Sequence, residues 1–297
     1  MSRQSHPFAV VLGTNEIASA VAVALHRDGY SVTLSHDPNP PVIRRGMAFH
    51  DVLYDDPCLL EGVVGRRADC WFDVLGACST PNAVAVTWLA LSDLIAYGAI
   101  DLLVDARMQK YTVTPDLRHL SGLAVGLGPG FRVGSNCDIA IETHPAQCGT
   151  LVDTGATATA DRVPSRLGEF GGERFAYAPT AGRWRTAVEI GKRVYKGFTV
   201  GHLDGRPVRA PLDGVLRGAV RDGFAVPTHA KLLEVDPRGR KARWTGIDER
   251  PRAIAAAVAR AVHAAAGVPR RTTDARRRRD NAVTEQHHDR ISARTLD

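Results

Sequence analysis

The opening stretch constrains this chain more than any other. Phe8–Gly13 (FAVVLG) is a short apolar run ending in glycine. It leads into Asn15–Arg27, where Ile17, Val21, Ala24 and Leu25 share one helical face. Ser31–Ser35 (SVTLS) then reads as a second strand, closed by Asp37 and the Pro-rich DPNPP. Further strand candidates are Ala83–Thr87, Asp101–Asp105, Leu123–Leu127 and Asp138–Glu142. Strands alternating with helices predict an α/β class: a Rossmann-like parallel sheet with right-handed crossovers over residues 7–172.

The texture changes over residues 173–240. Gly or Pro recurs every few residues: APTAG, EIGKRVYKG, HLDGRPV, APLDGV, RDGFAVP. That is an all-β pattern of short strands and tight turns. It holds a weak repeat, in which APTAGRW and EIGKRVYKGFTVG are echoed by APLDGVL and RDGFAVPTHAKLLEV. Two halves related by a pseudo-twofold predict a barrel-sandwich-hybrid domain, similar in rhythm to biotinyl and lipoyl carriers. None of Lys192, Lys196 and Lys231 has the hairpin-tip setting of a carrier lysine. Residues 241–266 predict a C-terminal helix packed on the body, with the Ala-rich Ile254–Ala266 at its centre, Asp248 or Glu249 in its first turn and Pro251 near its start. Residues 267–297 lack apolar periodicity and predict a disordered basic tail.

At 297 residues the chain is long enough for two domains. No run of 18 apolar residues predicts a transmembrane helix, and the first residues lack a signal peptide's apolar core, so the expected location is the cytoplasm. The net charge is +6, but residues 267–297 hold eight Arg against five Asp or Glu, a net of +3. The body is therefore nearly balanced, which argues against a nucleic-acid-binding domain. The five cysteines are odd in number and irregularly spaced, and read as buried cytosolic thiols.

Candidate site residues come from loops at predicted strand ends. Gly13, with Asn15 and Ala20, occupies the strand-to-helix turn where a Rossmann fold meets a phosphate, though two of the three fingerprint glycines are replaced. Arg44 and Arg45 follow a Pro-rich turn and can clamp an anion. Asp105 ends a strand and Lys110 follows on the next turn, either as a polar site or as a structural ion pair. Gly126, Gly128 and Gly130, in the run Gly-Leu-Gly-Pro-Gly-Phe131, permit close backbone approach. Glu142-Thr-His144 closes the next strand, His144 reading as acid, base, ligand or structural residue. The chain has no G-x-S-x-G elbow, Walker A lysine, H-E-x-x-H or paired-cysteine zinc motif, so no residue is assigned a catalytic or metal-binding role.

Together these motifs resemble the selenium-dependent molybdenum hydroxylase system protein family, accessory proteins related in role to the xanthine dehydrogenase accessory proteins. The resemblance runs from Phe8 to Ala266. It is carried by GLGPGF and GSNCDIAIETH (Gly126 to His144), Arg44-Arg45, Val104-Asp105-Ala106 with Lys110, Gly214-Val-Leu-Arg-Gly218 with Arg221-Asp-Gly223, Asp236-Pro-Arg238 and Arg252-Ala-Ile254. The chain departs from the family at Asn15 and Glu16, at Gln147 and at Ala255–Ala257. The resemblance implies maturation of a molybdenum hydroxylase of xanthine dehydrogenase type, by handling or inserting its molybdenum cofactor (molybdopterin). Gly13, Asn15, Arg44, Arg45, Asp105, Lys110, Gly126, Gly128, Gly130 and Glu142 would contact that cofactor. The implied partner is the hydroxylase apoenzyme, with no nucleic acid and no membrane. Two other readings stay open: an NAD(P)-dependent or cofactor-modifying oxidoreductase, and a non-catalytic scaffold with a decayed cofactor site.

Overall fold

The structure, a computed structural model, describes residues 6–110, 112, 114–161 and 163–267. The basic run predicted to be a tail therefore lies outside the described residues beyond Gly267. Residues up to Ala261 form one compact unit.

The chain opens with β1 (Phe8–Leu12), α1 (Glu16–Arg27) and β2 (Ser31–Ser35), as the apolar runs predict. Two short 3-10 turns, Arg45–Met47 and Phe49–Tyr54, follow. The hairpin β3 (Leu59–Leu60) and β4 (Val63–Ala68) comes next, then α2 (Trp71–Cys78). The rest of the sheet is β5 (Ala83–Thr87), α3 (Leu91–Tyr97), β6 (Leu102–Asp105), β7 (Leu123–Leu127), β8 (Ile139–Ile141) and β9 (Leu151–Val152). These nine strands run in the order β3-β4-β5-β2-β1-β6-β7-β8-β9. Pairing is parallel except at the two ends, β3–β4 and β8–β9. The fold is thus mixed α/β with a large, mainly parallel sheet. After β2 the chain goes to the far edge of the sheet, returns inward through β3, β4 and β5, and then crosses to the other side of β1 at β6. The reversal between β1 and β6 is where open α/β sheets form a crevice at their carboxyl edge.

One face of the sheet packs Val10, Leu12, Leu103, Ala124 and Ala140 against Leu94 of α3 and Trp71 of α2. The residues between them in β1, Ala9 and Val11, are equally buried on the other face. Helices do not separate every strand pair. Among the described residues no helix lies between β6 and β7 or between β7 and β8.

The second region starts with β10 (Phe175–Tyr177), β11 (Gly182–Arg185), β12 (Arg193–Val194) and β13 (Thr199–Leu203). It continues with β14 (Arg206–Arg209), β15 (Gly214–Ala219), β16 (Ala225–Val226) and β17 (Lys231–Asp236). Two four-stranded antiparallel sheets result, β10-β17-β15-β12 and β14-β13-β11-β16. The sequence repeat explains this layout. Exchanging its halves sends β11, β12 and β13 onto β15, β16 and β17, and turns one sheet order into the other. With β10 and β14 as the matching fourth strands, each sheet holds two strands from β10–β13 and two from β14–β17. Trp184, Val200, Leu216, Leu232 and Leu233 are fully buried in the shared core.

The chain then enters α4 (Glu249–Gly267), whose first turn carries Glu249 as expected. The helix starts one turn earlier than its alanine run suggests. Ile254, Ala255, Ala257, Val258 and Ala261 are buried along it. Among the described residues no helix is long and apolar enough to cross a membrane.

Candidate functional site

Arg44 and Arg45 join the parallel-sheet region to the β15–β17 sheet. Gly218 makes the approach feasible, because a Cβ there would lie 2.8 Å from the Ile43 carbonyl oxygen. A β-bulge at Arg217 shifts the register between Leu216 and Gly218, and the Ala219 amide then donates to Ile43 at 2.8 Å. With the chain so placed, Arg44 donates to both carboxylate oxygens of Glu234 (2.7 and 3.1 Å) and to Glu16 at 2.9 Å. Glu234 is fully buried on β17 and also accepts from Arg174 at 2.9 Å, with Arg217 Nε 3.6 Å away. Burial alone would raise the Glu234 pKa, but the surrounding arginines hold it down at about 2. Burial works against the charge of Arg44 as well, and Glu234 and Glu16 reverse that and raise its pKa. Arg45 donates to the Ala219 carbonyl at 2.9 Å and to Asp51 at 2.5 Å. The expectation that these two arginines offer free charge to a phosphate is corrected. Their guanidinium groups are already matched inside the protein.

The turn after β1 is also filled by the chain itself. Asn15 caps α1, its Oδ1 accepting from the Ile17 and Ala18 amides at 2.9 and 3.1 Å. Its Nδ2 donates to Ala106 O at 2.7 Å. A Cβ on Gly13, at φ +103°, would meet that same carbonyl oxygen at 3.1 Å. A phosphate approaching Gly13 meets the segment after β6 before it meets the helix amides.

Asp105, buried at the end of β6, pairs with Arg107 (Nη2 to Oδ2, 2.6 Å) rather than with Lys110. Arg107 also lies 3.6 Å from Asp37, which accepts from Gln109 at 3.0 Å. The glycine loop was expected to receive a ligand, but at Gly126 it receives its own Phe131. A Cβ on Gly126 would sit 2.0 Å from that ring. Gly128 and Gly130 take φ of +95° and +90°, which turn the chain back. The Gly128 amide donates to Ile141 O at 3.3 Å. Gly126→Ala should therefore destabilise the fold by about 1–3 kcal/mol, as overpacking does, readable in a urea midpoint. An unchanged midpoint would show that Phe131 can leave without cost.

Glu142 is buried and accepts three backbone N–H bonds, from Thr143 (2.7 Å), His144 (2.6 Å) and Ala158 (2.6 Å). It orders the turn after β8 and leaves little of itself for a ligand. His144 lies 2.8 Å from Asp161 through Nε2 and accepts from the Ala146 amide through Nδ1. Its role here is that of a cap with a carboxylate partner.

The sequence reading missed two groups. The first is a histidine pair, His36 after β2 and His50 in the 3-10 turn Phe49–Tyr54, joined by Thr14 after β1. Thr14 Oγ1 lies 3.1 Å from His36 Nδ1 and 2.9 Å from His50 Nδ1. The hydroxyl can donate only one proton, so at least one imidazole carries its own on Nδ1. His50 is 2% exposed and packs against Tyr54, Phe224 and His36, with Trp88 beyond. Burial, helped by the charges of His36, Arg45 and Arg221, lowers its pKa to about 3. The second group is cationic. Lys231, at the start of β17, holds its Nζ 4.0 Å over the Phe175 ring. Arg250, in α4, donates to Thr143 O at 2.8 Å, while its buried Nε has no partner. Among the described residues no group of three or more His, Cys, Asp or Glu is arranged to hold a metal ion.

No family model matches the chain. The uncharacterized protein YqeB of Escherichia coli (strain K12) is 30% identical over 275 residues, which is 88% of this chain and 49% of that protein. The chain thus spans about half the length of this curated relative. Among solved structures, an aspartoacylase family protein from Mesorhizobium loti covers 79% of this chain and 86% of its own, at 10% identity and a TM-score of 0.23. The ectoine utilization protein EutE (DoeB) from Ruegeria pomeroyi covers 78% and 86%, at 11% identity and a TM-score of 0.22. Likenesses this weak fix neither fold nor chemistry.

Proposed function

We propose that this chain is an accessory protein for maturation of a molybdenum hydroxylase, working in the cytoplasm on an anionic, phosphate-bearing pterin cofactor. One observation carries the reading: loops bearing motifs of the family resemblance meet at one edge of the sheet. Gly128, after β7, lies against Met108, after β6, and Thr143, after β8. Arg250 reaches the same Thr143 from α4. Arg250 brings a guanidinium to this edge, which suits a phosphate ester. The two four-stranded sheets, read as a barrel-sandwich hybrid, would dock the hydroxylase apoenzyme. An oxidoreductase using NAD(P) gains no support, because Asn15 and Ala106 fill the turn where its pyrophosphate would approach.

The test is purification from a host that makes molybdenum cofactor, followed by native mass spectrometry with pterin and molybdenum analysis. Co-purified pterin is the expected result. A clean apo mass, with no uptake of added cofactor, would overturn the reading in favour of a scaffold without a cofactor site.

A further inference from the structure

The outer side of α2 and α3 is built unlike a pair of helices that faces water. Val74 and Leu94 are the fully buried anchors of the two helices. With 3.6 residues per turn, the residues two before and two after such an anchor point the opposite way. In α2 those outward positions are Phe72 and Gly76, and in α3 they are Ser92 and Ala96. A solvated helix face ordinarily carries Lys, Arg or Glu, and neither helix has one. Their charges are two aspartates, both turned back onto the helix starts. Asp73 accepts from the Asp69 and Cys70 amides at 3.1 and 3.2 Å, and Asp93 accepts from the Ala90 amide at 2.8 Å.

Large apolar side chains take the place of the missing charges. Phe72 is 81% exposed, Tyr97 55%, Leu75 46% and Ile95 36%. Trp71 and Tyr97 stack with parallel rings 5.2 Å apart, which joins the two helices into one surface. At about 150–250 Å² for a large side chain, these exposures and the small residues between them amount to on the order of 500 Å² of apolar surface. A contiguous patch of that size ordinarily marks an interaction site. Homodimer interfaces are about 65% apolar, so this area corresponds to about 800 Å² per copy, the share of one partner in a stable complex. The flanking charges are Asp69, Asp101, and Arg66 and Arg67 of β4. Arg67 pairs with Asp55 and Asp69, and Asp101 accepts from the Phe8 amide. They stand at the margin, as the polar rim of an interface does.

We infer that the α2–α3 face is the contact between two copies of this chain, related by a twofold axis. A partner selected by charge has nothing to read at the centre of this face. A second copy meets its needs. Phe72 projects, and one turn along the same helix Gly76 has no atom within 4 Å of where its Cβ would stand. A ring and bare ground side by side complement themselves: a twofold sets the Phe72 of each copy over the Gly76 of the other. Like charges do not oppose there, since Asp73 and Asp93 are held by their own helix starts. The inference does not depend on the cofactor reading.

Sedimentation equilibrium of the full-length protein, from about 0.1 to 100 µM, tests it. A dimer with a Kd in the micromolar range or tighter is expected. F72E should weaken association at least about 100-fold, the effect of losing a central aromatic anchor. Phe72 is so exposed that F72E takes little from the monomer's core, and an unchanged urea midpoint at a concentration where both proteins are monomeric verifies that. G76R covers the open ground and should weaken association as well. F198E, on a half-exposed ring of the second region, should change nothing. A monomer at every concentration would overturn the inference and leave the face to a different protein. A dimer that F72E and G76R leave intact would overturn it too, because the contact would then lie elsewhere. So would equal weakening by F198E, which would mean unspecific association.

Discussion

Replacing Glu234 by Gln is expected to destabilise the protein by about 3–5 kcal/mol, the cost of removing one partner from a buried ion network. The side chain keeps its size, so the effect isolates charge. Without it, Arg44 keeps only Glu16, and Arg174 keeps only backbone carbonyls. Arg217 keeps Asp248 at 2.6 Å and the more distant Asp236. A typical domain is stable by 5–15 kcal/mol, so such a loss is a large part of the whole. Urea denaturation of both proteins measures it. The double variant E234Q/R174M should recover part of the loss, because it removes a stranded charge together with its partner. A loss below about 1 kcal/mol would mean that water reaches the arginines once Glu234 is neutral.

Acid should weaken the protein through His50. The histidine is neutral in the folded chain, with a pKa near 3, and 6.5 is its ordinary value. Between those values the unfolded chain binds a proton that the folded chain refuses. Stability is therefore complete above pH 6.5 and falls as pH drops toward 3, by up to roughly 5 kcal/mol at about 1.4 kcal/mol per pH unit. Burial lowers the His36 pKa too, which adds in the same sense. Glu234 adds a separate loss below its ordinary value of 4.5, as pH falls toward its folded value of about 2. Urea midpoints between pH 5 and 8, above the carboxylate range, separate the two effects. In that interval His50→Phe should lose a large share of the slope and leave the part due to His36, while giving up about 1 kcal/mol for the hydrogen bond to Thr14. A variant with the wild-type slope would place the titrating group elsewhere.

Much of the fold was legible because local patterns determine it. The runs FAVVL, SVTLS and AVAVT are strands, and the helix after Asn15 is amphipathic and capped. The Gly- and Pro-punctuated texture of residues 173–240 announced short strands and tight turns. The hairpin β3–β4 and the short helices α2 and α3 were not seen, being too brief to show a period. The partners of the candidate site residues were not legible. Arg44 meets Glu234 across 190 residues, and no local pattern reports such a distance. A hint was available: Arg217 within GVLRGAV and Glu234 within LLEV are opposite charges inside apolar strands of the repeat's second half. Lys231 was judged only as a carrier lysine, and His50 lay in no motif at all.

The contact between Arg44 and Glu234 also bears on the order in which the chain is made. Synthesis delivers the early strands long before β17. Until Glu234 emerges, Arg44 has only Glu16, and the β10-β17-β15-β12 sheet lacks one of its central strands. Arg44 must therefore wait for a carboxylate translated 190 residues later. A stalled or clipped chain ending before that point would lack the closing ion pair, and protein quality control would meet it as an open sheet edge.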